Sequence, residues 1–166
     1  MERIHKNLLT KNECQEIIAL ISSETLSEKI KTLTGAEITR TYLNEQWGYT
    51  FTRLGPPEAQ KYIDKINNIF TDYTIVSLRT LRYPYKACMG QHTDAPLPEE
   101  GNSNAGLIIQ LTDPNMYKGG GLFMGKELIE LEQGDSALYS YTTPHRVTQI
   151  LKGVRIICNV RLLKNG

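Results

Sequence analysis

Cysteine is scarce in this sequence. Its three cysteines, Cys14, Cys88 and Cys158, are scattered and odd in number. They form neither a Cys-x-x-Cys metal pair nor a disulfide framework, and a reduced, cytoplasmic setting is expected. Long apolar runs are missing too, so no membrane-spanning helix is expected. The opening Met1-Glu2-Arg3-Ile4-His5-Lys6 lacks the apolar stretch of a secretory signal. An excess of one charge is also missing: 19 Lys and Arg face 18 Asp and Glu, for a formal net charge of +1. That balance gives no electrostatic reason to expect a nucleic-acid or membrane partner. There is no internal repeat, low-complexity tract or Gly/Ser linker. The 166 residues are 40% hydrophobic and 22% charged. They suit one soluble domain large enough to bury a core.

The front of the chain reads as helical. Thr10-Lys11-Asn12-Glu13 is a capping box, in which the Thr hydroxyl and the Glu carboxylate each satisfy an orphan backbone N–H. Cys14, Ile17, Ile18 and Ile21 follow at helical spacing. A second helix is predicted to start near Pro56-Pro57-Glu58, with Tyr62, Ile63, Ile66, Ile69 and Phe70 as its apolar stripe. Between them, residues 36–53 are rich in Thr and aromatics, which favour strands. From Thr74 the pattern changes to short β-prone runs over 75–83, 105–111, 121–124, 136–141, 146–150 and 154–162, separated by Pro- and Gly-rich turns. At least six short strands without an intervening helix predict an antiparallel sandwich or barrel.

Only three histidines are present, His5, His92 and His145. In a strand, residues i and i+2 share a face, so His92 and Asp94 project together. His145, at a predicted strand start, can meet them from a neighbouring strand. Two His and one carboxylate on one face of a metal leave positions open for substrate and O₂, as in non-heme Fe(II) oxygenases. A His-x-Asp pair alone also fits ordinary loop residues. Arg155 adds weight: it lies inside the apolar run Val154–Val160, where an unpaired cation is costly. A dicarboxylate co-substrate would pair it bidentately, and so would a structural acid such as Asp135.

With these residues in place, the sequence resembles the 2-oxoglutarate/Fe(II)-dependent dioxygenases, in particular the prolyl 4-hydroxylase-like group. Four pieces match in order over roughly residues 74–163: Arg82-Tyr83-Pro84-Tyr85 with His92-Thr93-Asp94, Gly119-Gly120-Gly121-Leu122, Gly134 to Tyr139, and Pro144-His145-Arg146-Val147 with Gly153-Val154-Arg155. A fainter echo lies in Leu8 to Cys14. The resemblance implies a double-stranded β-helix (jelly-roll, cupin-like), mainly β with N-terminal helices. It implies a single domain over 1–166, with helical support over about 1–73 and the jelly-roll core over about 74–163. His92, Asp94 and His145 would hold Fe(II), with 2-oxoglutarate and O₂ as co-substrates. Arg155 would bind the far carboxylate of 2-oxoglutarate. Tyr83 would hydrogen-bond the co-substrate or serve as a core aromatic, and Gln110 is a further polar candidate on its strand. Arg146 and Trp47 are candidate substrate contacts, with solvent the competing environment for Arg146 and core packing the competing role for Trp47. The sequence departs from the family where a Trp often stands near the end of the last strand; here Leu162 and Leu163 lie there.

The implied reaction couples oxidative decarboxylation of 2-oxoglutarate to hydroxylation of a C–H bond, on a prolyl or other peptidyl residue. The alternatives are hydroxylation of a free amino acid or other small molecule, and a non-oxygenase jelly-roll that binds or isomerises its ligand. The region above the metal is expected to be open, walled by the 95–105 loop and the 47–53 segment.

Overall fold

In a computed structural model, residues 3–22 and 29–166 are described; Met1 and Glu2 of the opening segment lie outside them. The chain begins with β1 (Arg3–His5), α1 (Lys11–Ser22), β2 (Lys29–Lys31), β3 (Glu37–Thr39), β4 (Thr41–Leu43), β5 (Thr50–Leu54) and α2 (Gln60–Ile69). It continues through β6 (Tyr73–Tyr83), β7 (Met89–His92), β8 (Ala105–Gln110), β9 (Lys118–Gly119), β10 (Leu122–Met124) and β11 (Glu127–Ile129). The remaining strands are β12 (Ser136–Ser140), β13 (His145–Val147), β14 (Ile150–Lys152) and β15 (Arg155–Lys164). A major sheet of seven strands runs β1-β12-β8-β15-β6-β5-β4, and a minor sheet of four runs β11-β10-β13-β7. The pairings are antiparallel throughout, as a jelly-roll requires.

Alternation along the strands sorts the side chains into two cores. On one face of the major sheet, Ile156, Cys158, Val160 and Leu162 pack with Leu107, Ile109 and Leu78 against the helices, through Ile17, Ile63 and Ile66. On the other face, Leu81, Tyr83, Ile108, Tyr139 and Ile157 meet Met89, Leu122, Met124 and Val147 of the minor sheet. The α1 capping box forms as read: Thr10 N–H donates to Glu13 Oε1 at 2.8 Å, and Glu13 N–H to Thr10 Oγ1 at 3.1 Å. No helix among the described residues is long and apolar enough to cross a membrane.

Three predicted elements shift. The second helix begins at Gln60 rather than near Pro56, because Gly55 to Ala59 close a turn of their own, with Ala59 N–H bonded to the Gly55 carbonyl at 3.2 Å. The run over 146–150 is two strands: β13 pairs with β10 and β7, while β14 pairs with β9. The change of partner falls at Thr148, whose N–H and hydroxyl are both engaged by Gly121. Finally, β7 stops at His92, so Asp94 projects from the chain just beyond a strand rather than from within one.

Candidate metal centre

The two histidines come from neighbouring strands of the minor sheet. His92 ends β7, His145 starts β13, and they are direct cross-strand partners. Each imidazole is oriented from behind. His92 Nδ1 lies 2.7 Å from the Gly90 carbonyl, and His145 Nδ1 lies 3.1 Å from the Thr143 carbonyl. A carbonyl can only accept, so in both rings Nδ1 carries a proton and Nε2 is the atom turned towards Asp94 and available to a metal. Those two Nε2 atoms converge on Asp94 Oδ1, at 3.3 Å and 3.4 Å. One ligand atom from each of the three residues lies within 4.8 Å of the others. The three predicted residues thus come together, in the donor set of two His and one carboxylate.

The major sheet holds the carboxylate. Tyr139 Oη donates to Asp94 Oδ2 at 2.6 Å, and Asn159 Nδ2 donates in turn to Tyr139 Oη at 3.3 Å. Tyr139 can lie across the sheet because its cross-strand partner is Gly106, where a Cβ would collide with the phenol ring. Burial opposes ionisation of Asp94. The hydrogen bonds from His92 and Tyr139, with His145 and Arg161 nearby, outweigh it and hold the carboxyl well below the usual carboxylate range. The histidines are pushed in opposite directions: His92 upward by its bond to Asp94, His145 downward by burial. Burial and Asp94 also raise Tyr139 far above a free phenol, so it stays a proton donor.

A cavity of about 480 Å³ runs from the triad along the major sheet. Its mouth includes exposed Tyr42 and Ala95, together with Trp47, Arg53 and Leu97, so it opens where the 47–53 segment and the start of the 95–105 loop meet. Arg155 lines the cavity from β15, only 2% exposed, beside Tyr83 on β6. Its guanidinium carbon lies 5.6 Å from the Tyr83 ring centre. Its Nε and Nη1 are buried with no hydrogen-bond partner among the described residues. Asp135, the structural acid considered for it, is instead taken by Lys6 Nζ at 3.2 Å and the backbone N–H groups of Asn7 and Glu132. A buried cation with free donors facing a cavity fits an anionic ligand there.

Gln110 shares a smaller adjoining cavity with Arg155, Tyr117 and Gly120. Its Nε2 donates to Thr112 and, at 3.0 Å, to Tyr117 Oη. Gly120 has φ +65, and a Cβ there would come 2.6 Å from Ile150 Cδ1 and 3.2 Å from Arg155 Cδ. The Gly-Gly turn therefore packs directly on the arginine stem. Trp47 stands in the cavity wall, its ring 5.8 Å from that of His92. Arg146 does not line the cavity. It alternates with His145 along β13 and stacks on Phe123 at 4.0 Å, on the outer side of the minor sheet. Sequence reading passed over Tyr139, Asn159, Arg79 and Arg161. The signal available for the last three was polar residues at alternate positions within apolar strands.

No family model matches the chain. Among curated proteins, it is 36% identical over 73 residues to a PKHD-type hydroxylase of Prochlorococcus marinus (strain MIT 9211), covering 42% of this chain and 33% of that protein. It is 33% identical over 103 residues to one from Thermosynechococcus vestitus, covering 55% and 46%. The matched stretches thus span less than half the length of these relatives. Among solved structures, the viral collagen prolyl hydroxylase of Paramecium Bursaria Chlorella virus-1, in its 2OG complex, superposes with a TM-score of 0.70 at 17% identity, over 99% of this chain and 96% of that one. A Pseudomonas putida prolyl-4-hydroxylase gives a TM-score of 0.66 at 14% identity, over 99% and 93%. The chain therefore carries the jelly-roll fold of the 2OG-Fe(II) oxygenases, with a sequence similar to the PKHD-type hydroxylases.

Proposed function

We propose that the protein is an Fe(II)- and 2-oxoglutarate-dependent dioxygenase that hydroxylates a C–H bond, with a prolyl or other peptidyl residue as the first substrate class to test. The observation that carries this reading is the buried guanidinium of Arg155, with Nε and Nη1 unpartnered among the described residues, in the cavity that also holds the His92–Asp94–His145 triad. A metal-binding jelly-roll without a dicarboxylate ligand has no use for such an arginine, and a buried cation left without an anion is costly.

His92 Nε2, Asp94 Oδ1 and His145 Nε2 would hold the iron, leaving the other positions for 2-oxoglutarate and O₂. Once bound, the iron and its two co-substrates would supply the oxidation that turns C–H into C–OH as 2-oxoglutarate becomes succinate and CO₂. The protein's part is positioning. The two Nδ1–H bonds keep the imidazoles aimed, and Tyr139 occupies Asp94 Oδ2 so that Oδ1 faces the metal. Arg155 would take the far carboxylate of 2-oxoglutarate in a two-pronged contact. Tyr83, held protonated by burial, would donate a further hydrogen bond. Gln110 would act through Tyr117: because Tyr117 Oη accepts from the amide, its own proton is free to donate into the cavity.

The test is anaerobic titration with Fe(II) and 2-oxoglutarate, followed by aerobic 2-oxoglutarate turnover against peptides, free amino acids and nucleotides. One metal per chain and metal-dependent 2-oxoglutarate binding are expected. Equal 2-oxoglutarate affinity with and without metal would overturn the reading.

A further inference from the structure

We infer that the substrate of this site carries a carboxylate, held between Arg79, beside the metal centre, and Arg161, beyond it from Arg155. This rests on the oxygenase reading above and adds the chemical class of the substrate. Arg155, Ile157, Asn159 and Arg161 occupy alternate positions of β15 and all line the cavity. At ~3.3 Å per residue, Arg161 stands about 20 Å along the strand from Arg155. Asn159, bonded to the tyrosine that holds Asp94, lies between them. One arginine therefore sits on each side of the metal centre, and only one end is needed for 2-oxoglutarate.

Arg79 stands level with the metal centre, on the side towards Arg161, whose charge it feels. It is the cross-strand partner of Asn159, and its Nε donates to Asn159 Oδ1 at 3.1 Å. Arg161 is 6% exposed. Its Nη1 donates to the Ala95 carbonyl at 3.0 Å and to Tyr141 Oη at 2.7 Å, yet its Nε is buried with no partner among the described residues. A third cation, Arg53, is already matched: Glu100, fully buried, pairs with it and accepts from Ser77 Oγ at 2.7 Å. Asp94 belongs to the metal centre. Arg79 and Arg161 are thus left without an ion pair among the described residues, and burial together with the charge of Arg161 lowers the pKa of Arg79. The charges of Glu100 and Asp94 act on Arg79 without overcoming its burial, and an anion entering beside the two cations would offset the remaining cost. Nε of Arg79 and Nη1 of Arg161 are engaged, and the remaining guanidinium N–H groups are more than enough to grip the two oxygens of one carboxylate. Apolar Phe51, Leu97 and Trp47 around them would take the carbon skeleton.

The experiment uses the protein loaded with Mn(II), which holds the site without turnover, and with saturating 2-oxoglutarate, so that the Arg155 end is filled. Trp47 is the single tryptophan and lies in the cavity wall, so its fluorescence reports entry. The probes are free amino acids against their carboxamides, and blocked glutamyl peptides against their glutaminyl counterparts; the first pair reports a small carboxylate and the second an acidic peptide. At least one carboxylate probe should bind about tenfold or more tightly than its amide, a difference of ~1.4 kcal/mol. Arg79→Gln and Arg161→Gln should each erase that preference while melting cooperatively and keeping 2-oxoglutarate affinity. If no carboxylate outbinds its amide, or the preference survives in either variant, the inference is wrong. If Mn(II) and 2-oxoglutarate fail to bind in the first step, the oxygenase reading itself fails instead.

Discussion

The two faces of β15 obey opposite rules. Ile156, Cys158, Val160 and Leu162 are apolar and sealed against the helices, where nothing but packing is asked of them. Arg155, Asn159 and Arg161 on the other face are just as buried, yet they are polar and aimed into a cavity. Burial on the first face stabilises the fold at roughly 25 cal/mol per Å² of apolar area. Burial on the second costs free energy that the proposed ligands would offset. One strand therefore carries the stability of the sandwich on one side and the proposed ligand contacts on the other. Substitutions on the two sides should separate cleanly.

The largest separation is expected at Arg155. Arg155→Leu should cut 2-oxoglutarate affinity by about a hundredfold or more, the scale of removing one partner of a buried charge pair. Metal affinity should hold, and isothermal titration reads both. Arg155→Lys should lose less, because charge survives while the two-pronged geometry does not. On the opposite face, Leu162→Ala should cost about 2–5 kcal/mol in urea unfolding and leave 2-oxoglutarate affinity alone. A matching loss of co-substrate binding in that variant would mean the two faces are coupled.

Tyr139→Phe probes the second face without charge. Removing its hydroxyl from Asp94 should weaken metal binding by about 10–100-fold, with little change in melting temperature. Glu100→Gln tests the mouth of the cavity. Burial opposes ionisation there, but Ser77 and Arg53 outweigh it and depress the carboxyl below its ordinary value. A depressed carboxylate contributes stability that is complete above the unfolded value, about 4.3, and fades as pH falls through the folded one. The wild-type advantage over Glu100→Gln should thus be about 1.5–3 kcal/mol at pH 7 and shrink below about pH 4 in acid titration of stability. Smallest of all, Arg146→Ala should shift stability by about 0.5 kcal/mol or less and leave substrate kinetics unchanged, because that side chain faces away from the cavity.

Local chemistry made parts of this architecture legible in advance. The α1 capping box needs only residues three apart, and it forms with both predicted bonds. The His92-x-Asp94 pair and Arg155 were readable because their spacing, or their oddness in an apolar run, is visible along the chain. The substrate contacts were harder. Arg146 is next to a ligand in sequence but on the wrong side of its strand, and a one-residue difference in a period of two inverts the facing. Tyr139 sits 45 residues from Asp94, and its bond exists only because Gly106 on the strand between leaves room for the ring.

By itself, then, the sequence determined which residue types could bind a metal and a dicarboxylate, where the first helix starts, and that an antiparallel sheet follows. These depend on interactions a few residues long and on strand periodicity. Only the tertiary structure decided that His92 and His145 face each other across two strands, that Asp135 is spent on Lys6 and leaves Arg155 Nε and Nη1 unpaired among the described residues, and that Arg79 and Arg161 share one wall. Each of these depends on which strands pair and in what register. That choice is made by the whole hydrophobic pattern at once, and no single segment of the chain contains it.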